Sequence, residues 1–141
     1  MSIQLKRAHD KPSVSDGTRV LVDRLWPRGV AKDKANIDEW LRDLAPSDSL
    51  RHWYHTNSLA WTVFRKRYLH ELNDPAASTA LERLYLLARK KKMLTLVYAS
   101  RDTERNNAAI LKELLEGMRK PPSSSGPAKA AAMPMRATRR K

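Results

Sequence analysis

The chain of 141 residues contains no cysteine. This absence excludes disulfide bonds, thiolate nucleophiles and cysteine-ligated metal sites, and it suits a reducing cytoplasm. No apolar run approaches the roughly 20 residues that a membrane-spanning helix needs, and the first residues lack the apolar stretch of a secretory signal. We therefore expect a cytoplasmic protein that makes no contact with a membrane.

The sequence also lacks a glycine-rich phosphate-binding loop and a dinucleotide-binding fingerprint. Its serines are not flanked by the glycines that a nucleophile elbow requires. His52 and His55 have the i, i+3 spacing that places two metal ligands on one helix face, but no third ligand follows at a suitable spacing. We therefore predict no metal site and no cofactor.

Positive charge is abundant, with 28 lysines and arginines against 15 acids and a net charge of +13. Residues 121–141 contain five cations and no acid, so residues 1–120 carry the remaining +8. Such a balance favours contact with polyanions or with anionic metabolites. The alternative interpretation is a solvated surface that only aids solubility.

The length predicts one domain. Composition changes after Lys120, where half of the eight prolines stand beside serine, glycine and alanine. We predict a single α/β domain over residues 1–120 and a disordered, basic tail over residues 121–141.

Residues 3–9 alternate loosely between apolar and polar side chains, and residues 19–22 and 94–99 are mostly apolar; all three segments are typical of strands. The second strand must stop near Leu25, because Pro27 lacks the backbone donor that a central strand needs. Helical spacing of apolar residues predicts helices that begin near Asp33 or Asn36 (running through Leu44), at Ser47, at Asn57 or Ser58, at Ser78 and near Glu104.

Helices between apolar strands favour an α/β fold, in which a small, mostly parallel sheet has helices packed on it in three layers. The connection from Asp10 to Thr18 is too short for a helical crossover. The pairing of the first two strands therefore stays open at this point.

In open α/β sheets, ligands bind beyond the carboxyl ends of the strands. This rule points to Asp23, Arg24, Trp26 and Arg28 after the second strand, and to Arg101, Asp102, Asn106 and Asn107 after the last one. If both strands run parallel, the two segments meet at one edge of the sheet, where His9 is a further candidate.

The residue types in these two segments suit an anionic ligand. Arginines pair with carboxylate or phosphate, and the free backbone donors of a helix start after Asp102 would help to hold an anion. Asp23 and Asp102 are the candidate general bases, and Trp26 offers a flat face. The alternative is architectural: an Asp–Arg pair that ties a strand end to a helix, and a Trp-Pro plug.

The run from Ser15 to Gly29, with Trp40, the segment 44–47 and Trp61, resembles the signature of the domain-of-unknown-function 488 family, in its YeaO-like bacterial group. The resemblance covers about residues 3–117. It implies a compact bacterial α/β protein and little about function.

The same resemblance also shows what does not carry over from the wider family. Other branches have cysteines around the positions of Tyr98 and Asn106, so their thiol or metal chemistry does not apply to this cysteine-free chain. The usual His-Asp-Pro between the middle helices is replaced here by His55-Thr56-Asn57-Ser58, which puts a role for His55 in doubt.

Three hypotheses about function follow. The first is a strand-end site for a small phosphate- or carboxylate-bearing ligand, a nucleotide among the candidates, with hydrolase or transferase chemistry left open. The second is a nucleic-acid-associated protein that uses the basic surface and the tail for non-specific contact. The third is a non-catalytic interaction module. The oligomeric state stays open.

Overall fold

A computed structural model describes residues 1–119 of the chain, and the predicted tail over residues 121–141 lies outside these described residues. The strands are β1 (Ile3–Arg7), β2 (Thr18–Leu21), β3 (Glu39–Trp40) and β4 (Leu94–Tyr98). The α-helices are α1 (Lys32–Ala35), α2 (Asp48–Thr56), α3 (Trp61–Glu71), α4 (Pro75–Lys90) and α5 (Asn107–Gly117). Two short 3-10 turns cover Val14–Asp16 and Arg42–Leu44.

The four strands form one parallel sheet in the order β1-β4-β2-β3. Every residue of β4 is buried, as expected for a parallel strand that is covered on both faces. Ile3 and Thr18 both align with Leu94, so β1 and β2 begin at the same level on either side of β4. The first two strands therefore flank β4 and do not pair with each other, and residues 8–17 cross between them without a helix longer than one turn.

The main core lies on one face of the sheet, where strand side chains meet α2, α3, α4 and α5. It includes Ile3, Val20, Leu96 and Tyr98 from the strands and Leu50, Phe64, Tyr68, Leu81 and Leu111 from the helices. Since successive strand residues point to opposite faces, Ala8, Leu21 and Val97 form a smaller cluster on the other face, against Trp26, Val30, Ile37 and Trp40. The predicted three-layer α/β fold with a parallel sheet is thus confirmed, with one thick and one thin outer layer.

Next to this smaller cluster, the second face is polar. The Asp16 carboxylate is almost fully buried and accepts hydrogen bonds from Arg19 Nη1 at 2.7 Å and from Lys6 Nζ at 3.1 Å. Burial by itself raises the pKa of Asp16, but hydrogen bonds from Ser13, Lys6 and Arg19 together bring it below its ordinary value. This network fastens the crossing segment, residues 8–17, to the sheet.

The prediction of one helix from Asp33 or Asn36 through Leu44 is wrong. The helix α1 ends at Ala35, because Asn36 adopts the left-handed conformation (φ 52°) that commonly terminates helices. The chain then pairs with β2 as β3, and Trp40 Nε1 donates to the Asp23 carbonyl at 2.7 Å. These tertiary contacts override the helical spacing of the apolar residues.

Two helix starts also differ from their predicted positions. The helix α4 begins at Pro75 with Asp74 as the preceding cap residue, and not at Ser78, because proline is favoured in the first helical turn. The helix α5 begins at Asn107, three residues after the predicted Glu104.

The helix-capping predictions have mixed outcomes. The Ser47 side chain accepts from Leu50 N at 3.1 Å and caps α2 as predicted. The helix α3, by contrast, follows Ala60, which makes no side-chain cap, and neither Asn57 nor Ser58 opens it.

Candidate functional site

Asp23 joins the carboxyl ends of β2 and β4. The chain reaches Asp23 two residues after β2 ends, and the Asp23 carboxylate accepts a hydrogen bond from Ala99 N, just after β4, at 2.9 Å. The two segments that the strand-end rule selected are therefore in direct contact, as the parallel arrangement requires.

Asn107 completes this junction from the first position of α5. Its side-chain amide donates to Asp23 Oδ1 at 3.2 Å and to the Val22 carbonyl at 3.0 Å. Because one amide group serves both acceptors, it fixes the start of α5 against the end of β2. We refer to Asp23, Ala99 and Asn107 as the strand-end junction.

The electrostatic surroundings of Asp23 act in two directions. Burial is the strongest influence and raises the pKa of the Asp23 carboxyl, while the hydrogen bonds from Ala99 and Asn107 and the positive charge of Arg51 lower it; the net pKa lies above the ordinary value. Arg51, on α2, is a neighbour that the strand-end rule did not select, because its place beside the junction depends on how α2 packs.

Within residues 1–119, the Arg24 and Trp26 side chains make no hydrogen bond with the residues of the strand-end junction. Arg24 Nη2 donates to the Ala45 carbonyl at 3.2 Å. The Trp26 ring packs edge-on against Trp40 at 5.6 Å, and its Nε1 donates to the Val30 carbonyl at 2.6 Å. Trp26 is therefore part of the smaller apolar cluster and closes the loop that follows β2.

Asp102 and Asn106 organise the loop between β4 and α5. Asp102 Oδ1 accepts from Arg105 N at 2.9 Å and from Glu104 N at 3.0 Å, and these bonds lower the pKa of Asp102. Asn106 caps α5 by accepting from Ala109 N at 2.8 Å. In the described structure, no hydrogen bond joins Asp102 to Asp23.

Arg28 and Arg101 are exposed, and their guanidinium groups make no hydrogen bond or ion pair with other described residues. Their loops are nevertheless connected. His9 Nε2 bonds the Arg28 carbonyl at 2.9 Å, and Arg7 Nη2 donates to His9 Nδ1 at 3.3 Å. Arg7 also donates through Nε to the Ser100 carbonyl at 2.9 Å.

This chain of bonds brings the loops after β1, β2 and β4 together and determines the tautomer of His9. A carbonyl oxygen only accepts, so His9 Nε2 carries the ring proton and Nδ1 accepts from Arg7. Arg7 was not among the predicted site residues, because the first strand was predicted to run to His9, whereas β1 ends at Arg7.

A groove of about 390 Å³ opens on the thin side of the sheet, beside Arg28. One wall is the loop after β1, residues 9–12, and the other is the segment 29–31 with Lys34. Ala8, Val30 and Ala35 line both this groove and the packed apolar layer that contains Trp26 and Pro27. We call this cavity, lined by residues 8–12, 29–31, 34 and 35, the lysine groove.

Positive charge faces this groove from both walls. Lys11 and Lys34 are exposed, and neither ammonium group forms an ion pair or a hydrogen bond within residues 1–119. Asp10 is the one acid among the lining residues. The groove therefore combines an apolar base with a net positive rim.

Sequence reasoning missed Lys11 and Lys34. They are 23 positions apart in the chain and meet only because the crossing segment and α1 lie on the same face of the sheet. The signature residues Trp26, Pro27 and Gly29 were the available signal, since Gly29 lines the groove and Trp26 and Pro27 belong to the apolar layer packed next to it.

The described residues were also compared with the requirements of a metal-ion site and of a membrane-spanning helix. Among the described residues, no three His, Cys, Asp or Glu side chains come together in a way that could hold a metal ion. Within residues 1–119, no helix has the length and apolar character needed to cross a bilayer.

Comparison with known proteins gives one family and several relatives. The family model described as the inactive DUF488-N3 subclade matches residues 2–131. YeaO of Escherichia coli (strain K12) is 41% identical over 118 residues, which cover 84% of this chain and all of YeaO. Rv3073c of Mycobacterium tuberculosis (strain H37Rv) is 39% identical over 115 residues, or 82% of this chain and 94% of the relative.

Both relatives are described as uncharacterized proteins, so their names assign no ligand or reaction. No solved structure matches the chain.

Proposed function

We propose, on the premise that this chain belongs to the DUF488 family and to its inactive N3 subclade, that it binds a small anionic ligand without catalysing a reaction. The ligand occupies the lysine groove, and Arg28 contributes from the adjoining loop. A cytoplasmic location remains part of this proposal, because the cysteine-free sequence suits a reducing compartment.

The observation that carries the proposal is a pair of lysines, Lys11 and Lys34, that form no ion pair or hydrogen bond within residues 1–119 and line a groove of about 390 Å³. That volume falls in the range of about 300–1,000 Å³ that is common for small-molecule sites. Lysine ammonium groups act as compact charges that attract phosphate or carboxylate from several directions. Since neither ammonium group has a partner in the described part of the chain, both are available to a ligand.

The shape of the groove favours a ligand with an apolar body and an anionic end. Ala8, Val30 and Ala35 present small apolar side chains at the base, whereas Lys11 and Lys34 stand at the rim. A nucleoside monophosphate or an aromatic carboxylate has this division, and a bare inorganic ion does not.

The junction supports binding rather than catalysis. Both oxygens of Asp23 accept hydrogen bonds from fixed donors, Ala99 N and the Asn107 amide, which leaves the carboxylate engaged in holding the strand ends. Asp102 is likewise engaged with the backbone of its own loop. Base catalysis by either residue therefore does not form part of the proposal.

A thermal-shift screen against nucleotides, sugar phosphates and organic acids tests the proposal, with isothermal titration for each compound that stabilises the protein. A ligand at about 100 times its Kd stabilises the folded state by about 2.7 kcal/mol. The double variant Lys11→Gln, Lys34→Gln should keep its unliganded Tm and weaken binding at least about tenfold, the equivalent of about 1.4 kcal/mol.

The matched control is Lys66→Gln combined with Lys112→Gln, which removes the same charge from α3 and α5. Equal weakening by both double variants would show that only net charge matters. If no compound in the screen shifts the Tm, or if the groove variant binds as tightly as the wild type, the proposal is wrong.

A further inference from the structure

A second cluster of positive charge lies at the end of the sheet where the strands begin, opposite the strand-end junction. Arg89, Lys90, Lys91 and Lys92 follow one another at the end of α4, and all four are exposed. None of them forms an ion pair or a hydrogen bond through its side chain with the described residues. Cations in the last turn stabilise the helix dipole, but Lys91 and Lys92 lie beyond the helix.

The register of the sheet places this run beside the amino ends of three strands. The next residue, Met93, accepts a hydrogen bond from Thr18 N at 3.0 Å, and Leu94 N donates to the Ser2 carbonyl at 2.9 Å. The run therefore lies at the edge where β1, β2 and β4 begin, away from the strand-end junction and the loops after β1, β2 and β4.

The helix α5 brings further cations to this edge. It starts at the carboxyl ends of the strands, where Asn107 bonds the Val22 carbonyl, and it packs along β1 and β4. Its 11 residues span about 16 Å, the length of a five-residue strand. Arg119 therefore lies toward the amino edge, and residues 120–141, which follow it, contain six more cations and no acid.

Few acids oppose this charge. Asp16, the acid nearest in sequence to the start of β2, is buried and already paired with Arg19 and Lys6. Asp38, before β3, accepts from Arg19 N, and Glu116 is exposed near the end of α5. We call Arg89–Lys92 with Arg119 the amino-edge cations.

We infer that the amino-edge cations bind the phosphodiester backbone of nucleic acid without sequence specificity. Four consecutive exposed cations suit a long, regularly charged polymer better than a small anion. Phosphate contacts of this kind position a protein on nucleic acid but do not distinguish sequences. This surface is separate from the lysine groove, so the two proposals succeed or fail independently.

Fluorescence anisotropy on the full chain, with labelled duplex DNA titrated at several salt concentrations, tests this inference. The key variant is Lys90→Glu, Lys91→Glu, Lys92→Glu. The control, Lys66→Glu, Arg101→Glu, Arg105→Glu, makes the same change in net charge on α3 and on the loop after β4.

For wild type, affinity should fall steeply with salt, with a slope of about −0.9 for each phosphate neutralised. The amino-edge variant should make that slope shallower by about three and lower the affinity at least tenfold near 0.1 M salt, whereas the control should change it less than about threefold. Equal losses in both variants, salt-independent binding, or equally tight binding of polyglutamate would each overturn the inference.

Discussion

Replacing Asn107 by alanine tests whether the strand-end junction holds the sheet to α5. The side chain is nearly buried and serves two acceptors, the Val22 carbonyl and the Asp23 carboxylate. A neutral hydrogen bond contributes about 1 kcal/mol and one to a charged group about 1.5–3 kcal/mol. We therefore expect Asn107→Ala to lower the free energy of unfolding by about 2–4 kcal/mol. Alanine is a good helix former, so the helix itself loses little.

The effect should depend on pH. The pKa of Asp23 is raised in the folded protein, so its ionisation opposes folding once the pH exceeds its unfolded value, and this opposition disappears at lower pH. The Asn107 bond lowers that pKa, so its loss raises the pKa further and increases the opposition. The variant should therefore be destabilised more at about pH 7 than at about pH 4, because less of the Asp23 carboxyl is ionised at the lower pH.

Urea unfolding followed by circular dichroism at both pH values measures these differences. The neighbouring variant Asn106→Ala is the control: it removes a helix cap worth about 1 kcal/mol and does not touch Asp23. A loss for Asn107→Ala no larger than that of the control, or one that is unchanged with pH, would refute the assigned role of the junction.

Two further predictions concern the polar face and the turns. Asp16→Asn should lower the free energy of unfolding, measured with urea, by about 3–5 kcal/mol, because it leaves the buried Arg19 charge without its partner. Since the pKa of Asp16 is lowered on folding, the ionised carboxylate stabilises the wild type, and this stabilisation should be lost only as the pH falls below the unfolded value of 3.8. Gly17→Ala should lower the free energy of unfolding by at least about 2 kcal/mol, because φ is +64° and a Cβ would collide with the Met93 carbonyl. Gly29→Ala, at φ +82° in open space, should cost only about 1–2 kcal/mol, and equal losses at the two glycines would contradict this distinction.

The parts of the fold that could be predicted from the sequence are those that depend on local pattern. The runs at 19–22 and 94–99 are apolar and β-branched enough to be strands in any parallel sheet. The strand β3 has only two residues and exists because Glu39 aligns with Val20 and Trp40 with Leu21. No local pattern contains that pairing, so the helical spacing of Trp40, Leu41 and Leu44 was misleading.

In the candidate site, too, one part could be predicted from the sequence and another could not. The contact between Asp23 and the end of β4 follows from a general property of parallel sheets, and the sequence was sufficient to predict it. The lysine groove depends on the path of residues 8–17 across the sheet, which the sequence left open. The groove therefore emerged only from the structure, even though Trp26 and Pro27 in the neighbouring apolar layer were identified from the sequence.

The two positions where the resemblance places cysteines in other branches of the family explain why binding is the better proposal. Tyr98 lies in the main core and is 2% exposed, so its side chain is needed for packing. The Asn106 side chain caps α5 and donates a hydrogen bond to the Asp102 carbonyl. An asparagine amide is not a nucleophile, and burial raises the pKa of the Tyr98 phenol, which makes its nucleophilic phenolate harder to form. Each side chain also has a structural use that a cysteine would not supply. The use of these two positions for packing and capping therefore favours the proposal of binding over one of catalysis, and Lys11 and Lys34, which have no partner within residues 1–119, are the groups that a ligand in the lysine groove would contact first.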